Sequence, residues 1–423
     1  MKKQRIENKL DSKKHICFVS VGHISSNPRL IKEATLLANK GYQVSVIGIQ
    51  TLEKLVPFDN ELIKKNPTWN TFIYPFYKKG MLYLFGTAFH HFAKQLSKLA
   101  NQFVLGKLSS STSLWLPLYY SLKSVKADLY IAHNINMLPL VAKIAKKNNA
   151  KIGFDIEDAY SVTSKEMDKN IVELEKKYLP KTDYITCASP LYVDFYDKLY
   201  QKLPNILPIL NVFDDIEEQE NKEYKDRNNT NHLSLYWFSQ TTGKGRGIEQ
   251  IIEALSLLDR KDIELHLRGE ASQETKKYFL DLATTENTKQ NIFFHALVSN
   301  QELPFRTAEH DVGLALELKE PVNRNLCLTN KIFQYMNTGL AILASDTEAQ
   351  YQVMTKNIET GFLIDIQNIQ QIAQKIEVLA DSKKNNSDVL GKMKIASKNL
   401  SKTKYNWDIE GQKFLEVIEK ILS

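Results

Sequence analysis

Two doubly wound α/β halves, each a parallel sheet wrapped by helices, are the fold class this sequence predicts. Three observations lead there. The chain has 423 residues, too many for one ordinary hydrophobic core and suited to two domains of similar size. Short β-branched and aromatic runs alternate with runs of helical period along almost the whole length, the pattern of parallel sheets rather than of hairpins. One polar stretch poor in apolar residues, 211–231, interrupts the series near its middle and reads as an interdomain linker. The domains drawn this way are residues 1–210 and 232–400, with a last helix within 405–423 placed to pack back on the first.

The first half opens with a strand over 16–21, a loop over 22–27 and a helix with Pro28 in its first turn, where a missing N–H is tolerated. Gly41 ends that helix, and a strand over 42–49 completes a βαβ unit whose loop could receive a ligand. Gly22-His23 is not a dinucleotide fingerprint, because the spaced glycines are absent. Arg29 lies where a cation opposes the helix macrodipole, so an anion or carboxylate holds it there, or it is a solvated surface arginine. Over 81–120 the composition turns aromatic and basic, with Tyr83, Phe85, Phe89, Tyr119 and Tyr120 interleaved with Lys94, Lys98 and Lys107. This stretch reads either as helices packed on the sheet, the favoured reading, or as a surface that touches a bilayer interface. His90 and His91 are adjacent and diverge on a helix, which argues against a metal site. A strand over 128–132 ends in His133, a helix spans 138–147, and a strand over 151–156 ends among Asp155, Glu157 and Asp158. Polar residues past the ends of parallel strands converge on one crevice, so His133 and these carboxylates are candidates to meet a substrate. Strands over 184–188 and 206–210 continue the series.

The second half restarts with a strand over 233–238, a loop over 239–247 and a helix carrying Ile248, Ile251, Ile252, Leu255 and Leu258. The loop holds Gly243, Lys244, Gly245, Arg246 and Gly247; glycines admit an oxyanion close to backbone, and two cations at a helix start can neutralise a diphosphate. A P-loop is excluded by spacing. Further strands are expected over 263–268, 292–295, 312–318 and 341–344. Between the last two, a polar loop over 319–325 leads to a helix capped by Thr329 or Asn330, with Ile332, Phe333, Met336 and Leu340 on its apolar face and Gly339 at its C-terminal end. A strand feeding a loop that opens on a helix N-terminus presents unpaired N–H groups to an anion.

Composition narrows the field. Hydrophobic residues make up 43% and charged residues 25%, an ordinary globular balance, and the formal charge of +7 is modest for the length. No arginine-rich run, zinc pattern or aromatic-glycine motif accompanies it, so nucleic acid is not an expected partner. Cys17, Cys187 and Cys327 are far apart and fit a reducing compartment. The first residues are charged throughout and no run has transmembrane length, so a cytoplasmic location is expected, with the inner face of the cell membrane as a peripheral site.

Asn27-Pro28-Arg29 with 33–41, then 127–133, 183–189, Gly245-Arg246-Gly247, 330–339 and Ala344-Ser345-Asp346, in that order and spacing, resemble the family 4 glycosyltransferases of the GT-B fold, the glycosyl transferases group 1. The resemblance implies an acceptor-binding first domain, a donor-binding second domain and chemistry in the cleft between them. It implies a metal-independent, retaining hexosyltransferase with a nucleotide-sugar as substrate, no separate cofactor, and a glycan or lipid-linked acceptor, serving cell-surface polysaccharide or glycolipid synthesis. His133, Arg246 and Lys244 take catalytic positions; Gly22, Gly245, Glu317, Thr329, Asn330, Lys331 and Gln334 take donor positions; Asn27, Arg29, Asp155 and Glu157 take acceptor positions.

Three positions depart from the family pattern. Of its paired glutamates, the second is Gln334 and the first, counted back, is Leu326; an expected phosphate-binding arginine is Gln240. Gln334 can still bond a ribose, without the charge-assisted strength of a carboxylate, and Leu326 can bond no hydroxyl. Glu317, Glu320, Asn323, Arg324 or Lys331 are available as substitutes. The alternative is a catalytically silent GT-B protein that serves a partner transferase or binds a glycan.

Overall fold

The structure is a computed structural model that describes residues 14–76, 115–214, 231–385 and 387–423, together with 84, 87 and 88. Most of the aromatic-basic stretch over 81–120 lies outside the described residues, which resume with the helix Trp115–Ser124.

The first domain is a seven-stranded sheet of β1 (His15–Ser20), β2 (Gln43–Gln50), β3 (Asn70–Pro75), β4 (Leu129–His133), β5 (Lys151–Ile156), β6 (Tyr184–Cys187) and β7 (Ile206–Pro208), in the order β3-β2-β1-β4-β5-β6-β7. The second is a six-stranded sheet of β8 (Leu233–Thr241), β9 (Ile263–Glu270), β10 (Ile292–His295), β11 (Val312–Ala315), β12 (Ala341–Ser345) and β13 (Gly361–Ile364), in the order β10-β9-β8-β11-β12-β13. Every pairing is parallel. The doubly wound α/β fold class expected from the sequence is therefore the observed one. Strand order reverses between β1 and β4 in one sheet and between β8 and β11 in the other, and ligands of such sheets bind beyond the carboxyl ends at these switch points.

Periodicity did not single out β3 and β13. Both are edge strands with short apolar runs, Phe72-Ile73-Tyr74 and Phe362-Leu363-Ile364, and β3 has no fully buried residue. The polar loop expected over 319–325 contains a short helix, Val322–Leu326. Asn323 and Leu326 are its buried residues, and what they are buried against is the other domain.

Side chains drive the helices as expected. The helix Pro28–Asn39 starts with Asn27, whose side chain accepts from Leu30 N, and with Pro28 in its first turn. It buries Leu30, Ala34 and Leu37 at helical spacing, and Arg29 and Glu33 beside them. The helix Asn330–Asn337 is followed by Gly339 at φ +69, a left-handed conformation that a side chain disfavours. One apolar cluster fills the far face of the first sheet, and another lies under the helix Ile248–Leu258 in the second domain. A third joins the domains: Ile209, Val212, Tyr405 and Trp407 link Phe18 and Leu30 of the first to Ile332 and Phe333 of the second. The helix Trp407–Leu422 packs on the first domain, with Glu410 accepting from Leu210 N at 2.9 Å.

Candidate active site

The carboxyl ends of β1, β4, β5, β8 and β11 face a cleft that holds two adjoining cavities, of about 350 and 250 Å³. Ser26, Pro28, Asn330 and Lys331 line both. The larger is walled on the first domain by Asn27, Arg29, Glu157 and Asp158, and on the second by Arg246, Glu317, Asn323 and Arg324. Phe238, Gln240, Arg268 and Val298 line the smaller. Across the larger cavity Arg246 and Arg324 of the second domain, which make no ion pair among the described residues, face Glu157 and Asp158 on the first.

On the second domain, Thr329 precedes the helix Asn330–Asn337 and makes no side-chain cap, and its buried hydroxyl has no partner among the described residues. The first N–H groups of that helix therefore point at the cavities unshielded. Lys331 donates to Glu317 at 2.8 Å in a pair only 8% and 5% exposed. Arg246 is half-buried, lines the larger cavity and makes no ion pair among the described residues. Its loop is held by Gly245 and Gly247, at φ +68 and +81, and a Cβ on Gly247 would press on Leu316 at 3.0 Å. Gly245 N donates to Glu249 at 2.7 Å, and Gly245 O accepts from Arg324 at 2.7 Å, which ties this loop to the one after β11. Lys244, by contrast, stacks on Tyr278 at 3.9 Å and lines neither cavity.

On the first domain, the loop after β1 carries Gly22, beside which a Cβ would meet nothing within 4 Å. His23 fixes this loop: its Nε2 accepts from Thr51 N and Leu52 N, so its Nδ1 donates to Asp59 at 2.6 Å. Behind the cavity wall lies a charged network. Arg29 donates twice to Asp155, each bond at 2.6 Å, and to Ile209 O at 2.5 Å. Asp155 also accepts from Thr186, and it is fully buried. Burial alone would raise the Asp155 carboxyl, but Arg29 and then His133 hold it below the usual range.

His133 is 1% exposed, with Nδ1 facing Glu157 at 3.0 Å and Nε2 facing Glu33 at 3.2 Å. Burial opposes its charge, yet Glu33, Glu157 and Asp155 outweigh it and raise the imidazole to about 10. Nδ1 is thus hydrogen-bonded to Glu157, whereas Nε2 approaches Glu33 as an ion pair without a hydrogen bond among the described residues. The group that reaches the cavity is Glu157, held by His133 from behind and by Asn27 Nδ2 at 2.5 Å. His133, Asp155 and Glu157 also bring ligand atoms within 4.8 Å of one another. Arg29 and the His133 imidazolium already neutralise that donor set, so it does not fit a divalent ion without losing both partners.

The structure thus brings Asn27, Arg29, Arg246, Glu157, Glu317, Thr329, Asn330 and Lys331 to one cavity, with His133 and Asp155 directly beneath. Gln334 is fully buried, lines neither cavity, and has no partner for either amide atom among the described residues. Leu326 packs in the core of the first domain and lines neither cavity. Sequence reasoning missed Ser26, which lines both cavities, and Arg268, which is buried against Tyr236 and Ala296 O beside Gln240. Arg268 left little signal, since it takes the polar register of an alternating strand, in step with Glu264 and His266.

Residues 218–392 match the family described as "Glycosyl transferases group 1". By sequence, no curated protein matches the chain. Among solved structures, a glycosyltransferase from Rickettsia africae is similar at TM-score 0.68 and 15% identity, covering 97% of this chain and 99% of that one. Anabaena HepE in complex with UDP and glucose gives TM-score 0.68 at 13% identity, covering 96% and 100%. A mutant of S. aureus TarM in complex with fondaparinux, α-GlcNAc-glycerol and UDP gives 0.66 at 12%, covering 96% and 99%. The chain has the GT-B fold, and its second domain carries the group 1 glycosyltransferase pattern.

Proposed function

We propose that this chain moves a hexosyl unit from a nucleotide-sugar to a glycan or lipid-linked acceptor, with retention and without a metal, in cell-surface polysaccharide or glycolipid synthesis. The observation that carries this reading is the uncapped N-terminus of the helix Asn330–Asn337, grouped with Arg246 and Lys331 on one cavity. A nucleoside diphosphate leaves with growing charge on its phosphates, and preorganised N–H groups and cations at that point stabilise the transition state. Opposite them, the Glu157 carboxylate accepts hydrogen bonds from sugar or acceptor hydroxyls, and Asn27 and His133 keep it in place. UDP in HepE and TarM supports a uridine donor as the first to be tried.

The test is calorimetry and turnover with a panel of nucleotide-sugars. At least one should bind and turn over, and Arg246→Ala should lower kcat by about 10²–10³. Failure of every nucleotide and nucleotide-sugar to bind at millimolar concentration overturns the enzyme reading. It would favour the silent GT-B alternative, a glycan-binding subunit or partner of another transferase. That alternative has its own support in Leu326 and in the unpartnered Gln334.

For location, we propose cytoplasm with attachment to the inner face of the membrane. The helices Trp115–Ser124 and Leu138–Asn148 carry no acidic residue and expose Tyr120, Lys123, Lys143, Lys146 and Lys147. Such a surface suits anionic headgroups. No helix of the described residues is long and apolar enough to cross a membrane.

A further inference from the structure

The loop between β11 and the helix Asn330–Asn337 belongs to the second domain by sequence, yet it is seated in the first. Its helix Val322–Leu326 meets the first domain through four hydrogen bonds. Asn323 Oδ1 accepts from Ala159 N and from the Tyr192 hydroxyl, each at 2.7 Å, and Asn323 Nδ2 donates to Asp158 Oδ1 at 2.9 Å. Ser189 Oγ donates to Leu326 O at 2.6 Å, while the Leu326 side chain joins the apolar core of the first domain. One amide thus makes three of the four bonds open to it, all across the seam, and at 8% exposure. The same short loop supplies Glu317, Asn323, Arg324 and Thr329 to the larger cavity. The smaller cavity draws on a different part of the second domain, with Phe238, Gln240, Arg268 and Val298.

We infer that Asn323 is a positioning residue that ties the sugar-holding part of the cleft to the first domain through the loop after β11, whereas the nucleotide-holding part, which Ser26 and Pro28 of the first domain also border, does not use the Asn323 contacts. The inference rests on the proposed donor site. Its physical basis is that an isolated second domain would expose the Asn323 amide and the Leu326 side chain to water, without the fixed partners that order them, so the loop would lose its one ordered arrangement. A nucleotide bound along the helix N-terminus and the smaller cavity needs no such contact. A nucleotide-sugar, whose sugar extends over the loop, needs the two domains closed with Asn323 against Asp158 and Tyr192. Donor sugar recognition is in this way coupled to domain closure, and an open cleft keeps the nucleotide but not the sugar's contacts.

The test compares UDP with UDP-glucose on the full chain. Asn323→Ala should weaken UDP-glucose by about tenfold, the worth of one to two buried hydrogen bonds, and UDP by less than about threefold. Tyr192→Phe removes a single donor at nearly constant volume, so it keeps the fold, and it should shift the same ratio by about threefold. Small-angle scattering should show the Asn323→Ala chain more extended than the wild type. Equal weakening of UDP and UDP-glucose in both variants would refute the inference while leaving the proposed activity intact. If neither ligand binds the wild type, the uridine donor fails, and scattering then decides: an unchanged radius of gyration in Asn323→Ala refutes the coupling.

Discussion

Arg29 and Asp155 took acceptor-binding positions in the sequence, and removing either distinguishes that role from a scaffold role. The two form a bidentate pair at 2.6 Å with exposures of 4% and 0%, and Arg29 also holds Ile209 O on the connection toward the second domain. Asp155→Ala strands a buried guanidinium, and Arg29→Met strands a buried carboxylate that keeps only Thr186 and a 3.6 Å approach to His133. Breaking a buried pair by removing one partner costs about 3–5 kcal/mol, while replacing both with apolar groups is often close to neutral. With a urea m-value of about 2 kcal/mol/M, each single variant should lower the midpoint of the first domain's transition by about 2 M. The double variant Arg29→Met/Asp155→Ala should recover at least about 2 kcal/mol of the summed loss, the coupling expected of groups in direct contact. Urea unfolding followed by tryptophan fluorescence measures this. Single losses below about 1 kcal/mol that add within about 0.5 kcal/mol would refute the scaffold assignment. A raised acceptor KM in Asp155→Asn at unchanged stability would restore the acceptor role.

His133 gives a pH signature: its folded pKa of about 10 lies above the ordinary 6.5, so its ion pairs contribute fully below pH 6.5 and are lost as pH climbs toward 10. Wild-type melting temperature should fall across that window, and His133→Gln should flatten the slope; a wild type insensitive to pH there contradicts the network. Leu326→Glu puts a carboxylate into the first domain's core, so thermal unfolding should record a loss of several kcal/mol with no gain in UDP-glucose affinity. A variant of unchanged stability that binds the donor more tightly would instead return this position to the family's sugar contact. Vesicle co-sedimentation should depend on anionic lipid, and reversing Lys143, Lys146 and Lys147 should weaken it by about fivefold per residue. Equal binding to neutral vesicles, or no effect of the reversals, would remove the membrane assignment.

Much of the fold was legible along the chain, because β-branched runs, helical stripes, Pro28 after Asn27 and the glycines after helices act over a few residues. The ends of β4, β5, β8 and β11 were legible for the same reason, and with them the cleft and most of its lining. The edge strands β3 and β13 were not, since their apolar runs are short and mostly half-buried, whereas the edge strands β7 and β10 were. Nor could the sequence assign side chains their partners. Arg29 and Asp155 lie 126 residues apart, and Asn323 and Tyr192 lie 131 apart, so only packing decides that the first pair sits beneath the cavity and the second spans the seam. His133 shows the difference most clearly. Its place at the end of a parallel strand marked it for the crevice, but carboxylates from two separate segments, Glu33 on the helix after β1 and Asp155 and Glu157 at the end of β5, enclose it and leave Glu157 at the surface. Backbone periodicity is a local property of the chain. Which charge is neutralised, and which is left to meet a substrate, is set by burial and by neighbours that only the folded domains bring together.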